Sequence, residues 1–246
     1  ADYAAAHYNL ANLLCDLGKL DEAITRYENA LNINPHYAEA YYNLGNTLKD
    51  LEKLDQAKES YLKSLSIKPD YAAAHNNLGT ILHNRGILDK AVTSYERAVT
   101  YNPDYAEAYN NLGNALQELG RLEEAVDFID KAIAIKPNYP EAYTSLGDAW
   151  QELGQMDKAL TSYEKALVNN PNLAETYNSI GTTLMYLGQF DEALESYEKA
   201  LVIRPLFVRA DRKLLLLYLY VAGLSAVDLF SQDLRFAEMH TKVISP

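Results

Sequence analysis

Asn9, Asn43, Asn77 and Asn111 stand 34 residues apart. Three residues after each, Asn12, Asn46 and Asn114 keep that interval, with Thr80 interrupting the set. One residue before each stand Tyr8, Tyr42, Asn76 and Asn110. A carboxamide carries one acceptor oxygen and two donor hydrogens, the complement of a peptide group. A row of them can hydrogen-bond main-chain N–H and C=O groups, which are alike in every polypeptide. The chemistry on offer is recognition of extended polypeptide with little regard to its sequence. Ser145 and Ser179 take the place of Asn further on, so the row weakens toward the C-terminus.

Other chemistries find no support in the residues. His7 and His75 occupy an aromatic packing position, His36 a turn and His240 the tail, while His83 lies on the polar stripe. None stands at helical spacing from a second His and a carboxylate, so no metal site is expected. The glycines do not form a phosphate-binding loop, and no nucleophile elbow is present. No catalytic residue and no cofactor are expected. Cys15 is the one cysteine, which excludes an internal disulfide and fits a reducing, cytoplasmic setting. The net charge of −12 argues against nucleic acid and against an anionic membrane surface. The longest apolar run, Leu214 to Gly223, is too short to span a bilayer, and no segment reads as a signal peptide.

The elements that must position the amides follow from the same period. Pro35, Pro69, Pro103, Pro137, Pro171 and Pro205 are each 34 apart, and ten of the 11 glycines fall on two sets in that phase. A fixed period of this size signals stacked repeats. Six units result, 4–37, 38–71, 72–105, 106–139, 140–173 and 174–207, each reading as two helices, A then B. At position 8 of the unit, Ala11, Gly45, Gly79, Gly113, Gly147 and Gly181 give small contacts on helix A. A glycine inside a helix costs about 1 kcal/mol against Ala, so close backbone approach must offset it. Leu10, Leu44, Leu78, Leu112, Leu146 and Ile180 should face the core. Gly18, Gly86, Gly120, Gly154 and Gly188 suit a left-handed residue after helix A, and Glu52 at the same place should be strained. An acid opens each helix B, from Asp21 to Asp191, where it complements the helix dipole and caps free N–H groups. Asp70, Asp104, Asn138 and Asn172 are candidate caps of the next helix A. Tyr27, Tyr61, Tyr95, Ile129, Tyr163 and Tyr197 should fill the gap toward the next unit.

The motif running through Tyr41, Leu44, Gly45, Leu48, Ala57, Tyr61, Ser64 and Pro69, repeated in six units, resembles the tetratricopeptide repeat. The resemblance implies an all-α fold, a right-handed superhelical solenoid of six helix-turn-helix repeats (residues 1–207) with capping helices over 208–246. It also implies that the A helices line a concave groove that binds peptides. Helical spacing puts positions 2, 5, 6, 9, 12 and 13 on one stripe. The candidate peptide-binding residues are Tyr8, Asn9, Asn12, Tyr42, Asn43, Asn46, Asn76, Asn77, Asn110, Asn111, Asn114 and Glu118. Nine acids share the stripe: Asp16, Glu39, Asp50, Glu107, Glu118, Glu141, Asp148, Glu152 and Glu175. Lys49 is the one constant cation. Some members of the family clamp chaperone C-termini with Lys and Arg at positions 2, 5 and 6, which are empty of both in all six units. The expected partner is a neutral or basic extended segment. Self-association has no signal on the B helices.

After Pro205 the period is looser. Ala210 and Leu214 keep the phase of a seventh helix A, Leu215 replaces the small residue, and the helix reads as apolar nearly all round. Ser225 is placed to cap a final helix. The stretch from Leu214 to Tyr220, with Leu229-Phe230 and Arg235 to His240, is similar to the junction between repeats and catalytic region in O-linked N-acetylglucosamine transferases and SPINDLY-like proteins. That resemblance implies substrate presentation to a glycosyltransferase domain after Pro246; a free-standing adaptor is the alternative. Ala1-Asp2-Tyr3 reads as the close of an earlier unit, and the chain as a piece of a longer array.

Overall fold

The computed structural model describes residues 2–221. The final helix expected from Ser225 and the junction-like residues 222–240 lie outside the described residues. Among the described residues there are thirteen α-helices and no strands. They fall in two compact units, Ala1–Ile135 and Lys136–Pro246. The first holds α1 (Asp2–Asp16), α2 (Leu20–Ile33), α3 (Ala38–Asp50), α4 (Leu54–Ile67), α5 (Ala72–Asn84), α6 (Leu88–Tyr101), α7 (Ala106–Glu118) and α8 (Leu122–Ile135). The second holds α9 (Pro140–Glu152), α10 (Met156–Asn169), α11 (Ala174–Tyr186), α12 (Phe190–Ile203) and α13 (Val208–Val221). From α1 to α12, each odd-numbered helix packs against the helix that follows it, giving the expected helix-pair repeats.

In four of the six pairs a glycine on the first helix faces a tyrosine on the second, while in α7–α8 Gly113 faces Ile129. A Cβ placed on Gly45 would lie 2.6 Å from Tyr61, and one on Gly79 would lie 2.6 Å from Tyr95. Tyr61, Tyr163 and Tyr197 are wholly buried. The tyrosine therefore fills the space inside its own pair rather than the gap to the next unit, because the missing side chain opposite leaves room for the ring. Ala11 puts a methyl at this place in α1, against Tyr27. Ala23, Ala57, Ala91, Ala125, Ala159 and Ala193 are fully buried and keep the backbones close on the B side.

Leu44, Leu78, Leu112 and Leu146 are buried as expected, but Leu10 is 38% exposed. Leu44 of α3 stands beside Ile24 of α2, and α1 has no helix before it among the described residues. The capping expectation also fails. Tyr37, Tyr71, Tyr105, Tyr139 and Leu173 occupy the N-cap positions and make no side-chain cap bond. Asn34, Asn102 and Asn170 instead tie the preceding turn, each Oδ1 accepting the backbone N–H two residues on. The acids that open the B helices lie inside the first turn, after N-caps such as Lys19 and Gln155. They complement the helix dipole without capping.

The turns after the A helices hold their left-handed residue. Gly18, Gly86, Gly120, Gly154 and Gly188 have φ between +70° and +74°. The next N–H closes onto a carbonyl five residues back, as in Ile87 to Leu82 at 2.9 Å. Glu52 is forced into the same region at φ +57°. A Cβ at Gly86 would touch nothing within 4 Å, so backbone conformation alone separates the two residues. Glu52→Gly is expected to raise the free energy of unfolding by about 1 kcal/mol, and Gly86→Ala to lower it by about 1 kcal/mol. Urea unfolding followed by circular dichroism checks both; a Glu52→Gly variant less stable than the parent would contradict the assignment of strain.

Candidate functional site

The buried tyrosines organise the polar stripe. Tyr61, Tyr95, Tyr163 and Tyr197 are fixed by their glycine contacts, and each of the five hydroxyls reaches a residue fifteen positions earlier on helix A. Tyr27 Oη donates to Asn12 Oδ1 at 2.6 Å, and Tyr61 Oη to Asn46 Oδ1 at 2.8 Å. Tyr95 donates to Thr80, Tyr163 to Asp148 and Tyr197 to Thr182. Ile129 supplies no hydroxyl for Asn114. The next repeat then donates into the same acceptor: Asn43 Nδ2 to Asn12 Oδ1 at 3.0 Å, and Asn77 Nδ2 to Asn46 Oδ1 at 2.8 Å. Asn43 Nδ2 also donates to Tyr8 Oη at 2.9 Å, and Asn77 Nδ2 to Tyr42 Oη at 3.5 Å. The amide row is thus first a set of clasps between neighbouring repeats.

The clasps leave a defined remainder. Asn12 and Asn46 use their oxygens twice, so their Nδ2 groups are left to meet other partners. Asn43 and Asn77 use their Nδ2 hydrogens, so their oxygens are left. A cavity of about 250 Å³ opens on the first of these pairs, lined by Asn12, Asn43 and Asn46 together with Cys15, Asp16 and Asp50. Cys15 Sγ lies 3.2 Å from Thr47 Oγ1.

The other predicted residues separate. Asn76 is fully buried and Asn110 is 5% exposed, so neither presents a side chain to an open surface. Asn76 Oδ1 accepts Asn111 Nδ2 at 3.0 Å, while its own Nδ2 faces Tyr105 Oη and Glu107 Oε1, both at 3.3 Å. At Asn76 position 5 lies under the stripe because Tyr105, Glu107 and Asn111 close over it. Tyr8 and Tyr42 are half-buried, their rings against Tyr37 and Tyr71. Asn9 is exposed and Asn114 half-buried. Glu118 is exposed and meets His83 Nε2 at 2.9 Å. Two further acids of the stripe are paired within their own repeat, Glu39 with Lys68 at 3.2 Å and Glu175 with Arg204 at 2.9 Å. The stripe is accordingly less negative than its acids suggest, although exposed pairs contribute only about 0–1 kcal/mol.

In the second unit the clasp is built around a carboxylate. Asp148 accepts from Tyr163 at 2.8 Å and from Ser179. Burial pushes its carboxyl above the usual range, partly offset by these hydroxyls. Thr144 and Thr176 meet at 2.8 Å, and Tyr163 and Thr183 both donate to Gln151. The helix α13 packs on α12 through Phe207, Ala210, Leu214 and Leu217. Leu216 and Tyr220 are exposed, so α13 is covered on one side among the described residues, not all round as its composition suggested.

Models of the tetratricopeptide repeat match residues 38–71, 60–93, 106–139, 140–173 and 174–206, and a TPR-repeat model matches 11–51 and 79–120. The solved structure of MamA is 30% identical over 67% of this chain and 96% of its own, with a TM-score of 0.61. This chain belongs to the tetratricopeptide-repeat family. Two more distant structures share the fold. PilW, a type IV pilus biogenesis factor, has a TM-score of 0.77 at 23% identity over 87% of this chain and 99% of its own. YrrB, described as a TPR protein with an unusual peptide-binding site, has a TM-score of 0.62 at 24% identity over 76% and 96%. No curated protein sequence matches the chain.

For a tetratricopeptide-repeat protein, the residues missed from sequence are informative. Arg209, Arg212 and Lys213 continue the register one unit beyond the sixth, at positions 2, 5 and 6. Lys213 Nζ donates to Thr182 Oγ1 at 2.6 Å, repeating with an ammonium the clasp that Asn43 makes with Asn12. Counting one more 34-residue step from Glu175, Asn178 and Ser179 finds all three. Among the described residues no group of His, Cys, Asp and Glu is arranged to hold a metal, and no helix is long and apolar enough to cross a membrane.

The clasping phenols also set a pH dependence. Burial raises Tyr95 from 10.0 to about 12, and pushes Tyr27, Tyr61 and Tyr163 up as well. A phenol that stays neutral in the fold but ionises at about pH 10 when unfolded contributes stability in full below that pH. For Tyr95 this is lost as pH rises from about 10 to about 12, at up to about 1.4 kcal/mol per pH unit. Melting temperature should be flat from pH 8 to pH 10 and fall beyond it, and Tyr95→Phe should make the fall shallower. A flat profile to pH 12 would contradict the burial of these hydroxyls.

Proposed function

We propose that the A-helix face binds extended polypeptide through the unspent halves of its asparagine clasps. The observation that supports this is the division of labour at Asn12–Asn43 and Asn46–Asn77, where two oxygens and two amide hydrogens are consumed in fixed directions. What remains at each junction is an amide donor from one repeat and a carbonyl acceptor from the next. A peptide group needs one of each. The residues proposed to carry binding are Asn12, Asn43, Asn46, Asn77, Asn9, Asn111 and Asn114, with Tyr8, Tyr42 and Glu118 at the margins. Asn76 holds Asn111 in place from beneath. The peptide-binding description of YrrB supports the same reading for a related fold.

With Asp16 and Asp50 on the stripe beside the paired Glu39, Glu118 and Glu175, a neutral or basic segment is the favoured ligand. Lack of a cationic surface in the first six repeats disfavours nucleic acid. The narrower form of the reading, presentation of substrates to an attached glycosyltransferase in the cytoplasm, rests on the Leu214–His240 resemblance and the single cysteine alone.

Replacing Asn by Ala would break the clasps along with any peptide contact. Asn12→Asp and Asn46→Asp separate the two roles, since an aspartate keeps the acceptor used by tyrosine and by the next asparagine but loses the outward amide donor. The double variant is expected to melt within a few degrees of the parent and to bind a captured peptide ligand about tenfold to a hundredfold more weakly, at about 1 kcal/mol or more per lost bond. Calorimetric titration measures it. Unchanged affinity would remove these amides from the site.

A further inference from the structure

Tyr3, Ala6, Leu10 and Leu13 form one row along α1. Six 34-residue steps further on, α13 carries Phe207, Ala210, Leu214 and Leu217 in the same register. The two rows differ only by the hydroxyl of the tyrosine. Their surroundings are opposite. The α13 row is buried in one core cluster with Ala200 and Leu201 of α12, and Leu194 of α12 packs against it. On α1, Tyr3 is 78% exposed and Leu13 54%, and Ala6 and Leu10 are exposed as well. Leu17, also exposed, extends the row by one turn. A contiguous apolar face of this kind marks an interaction surface.

What fits the row is set by the helices that cover its equivalents. On α12 the covering residues are Leu194, Ala200 and Leu201. On α6 they are Val92, Ala98 and Val99, which share a core cluster with Ala108 and Leu112 of α7. Ile24 and Leu31 of α2 stand in the cluster that holds Ala40 and Leu44 of α3. Each covering helix places two aliphatic side chains seven residues apart, so that they share one face. The residue before the second is alanine each time, Ala30, Ala98 or Ala200, and is wholly buried. Its small side chain lets the two backbones approach. The helices α2, α4, α6, α10 and α12 each already pack against two A helices. None of these, in this chain or in a second copy, is free to cover α1. The occupant therefore comes from another polypeptide.

We propose that the face of α1 from Tyr3 to Leu17 is a docking surface for one amphipathic helix of a separate protein. That helix presents two Leu, Ile or Val side chains seven residues apart, with alanine before the second. The surface goes beyond the polypeptide-binding stripe: Asn12 lies about 200° around the helix from Leu10, so the two can be tested apart.

The probe is a fluorescent peptide with the sequence of residues 190–203, closed by a lactam between Glu195 and Lys199. Those two side chains are exposed and one turn apart in α12, so the bridge holds the peptide helical away from its docking face. Binding to the 246-residue chain is followed by fluorescence anisotropy in about 0.15 M salt, which screens the negative charge that chain and peptide share. Saturable one-to-one binding is expected, weakened at least tenfold by Leu13→Glu in the chain or by Leu201→Glu in the peptide. Because Leu13 is exposed, Leu13→Glu should melt within a few degrees of the parent. Absence of saturable binding overturns the proposal, and so does binding that either substitution leaves unchanged. Sedimentation equilibrium supplies the remaining arm. A chain that dimerises by itself and turns monomeric in Leu13→Glu would assign the row to a second copy and overturn the separate partner.

Discussion

The contact of a tyrosine ring with a glycine on the facing helix governs this molecule. With no Cβ at Gly45 or Gly79, the ring of Tyr61 or Tyr95 sets its Cδ1–Cε1 edge over the place a Cβ would fill, and both residues are buried. The glycine costs helix stability, and the buried ring more than offsets it. The same contact aims the hydroxyl. Once the ring is trapped, its oxygen reaches the residue fifteen positions earlier on helix A. The acceptor there is oriented in turn, and so is the asparagine of the following repeat. A packing constraint in the core thereby sets which atoms of the polar stripe face outward.

The period, the pairing of helices and the two roles of glycine were legible because each is written in residue type at fixed spacing. The left-handed strain at Glu52 was legible for the same reason. What escaped was partnership. Asn43 and Asn12 were both recognised, but their mutual bond depends on how far one helix is displaced from the next, and residue spacing along a single chain does not record it. Position 5 shared the helical stripe on paper, yet its Asn side chains at 76 and 110 are buried, Asn76 beneath Tyr105, Glu107 and Asn111. Two of the caps failed for a local reason: Asn102 and Asn170 tie the turns at Asp104 and Asn172, and Tyr105 and Leu173 stand at the N-cap instead. Leu10 failed for a tertiary one, since its covering helix is not among the described residues.

Charge on the stripe changes meaning in the same way. Glu39 and Glu175 occupy equivalent positions and pair with equivalent partners, Lys68 and Arg204, so the pairing is itself a repeat property rather than two accidents. In α13 the register persists while the chemistry reverses, and Arg209, Arg212 and Lys213 stand where acids, amides and hydroxyls stood before. The second unit therefore combines the half-buried carboxylate of Asp148 on α9 with the cations of α13.

The clasps have a consequence for how such a chain can change in length. Each bond joins a residue to its own helix pair or to the adjoining one, as with Tyr61, Asn46 and Asn77, and the fifteen-residue reach of the tyrosine hydroxyl is the same in the five pairs that carry it. Excising or duplicating 34 residues anywhere between two clasps leaves a chain in which every remaining hydroxyl still finds an acceptor at the same offset. The arrangement is indifferent to copy number. A gene encoding it can lengthen or shorten its reach by unequal recombination without repairing the interior, and only the substituted sites, Ile129 or Phe207, would keep a record of which copy was which.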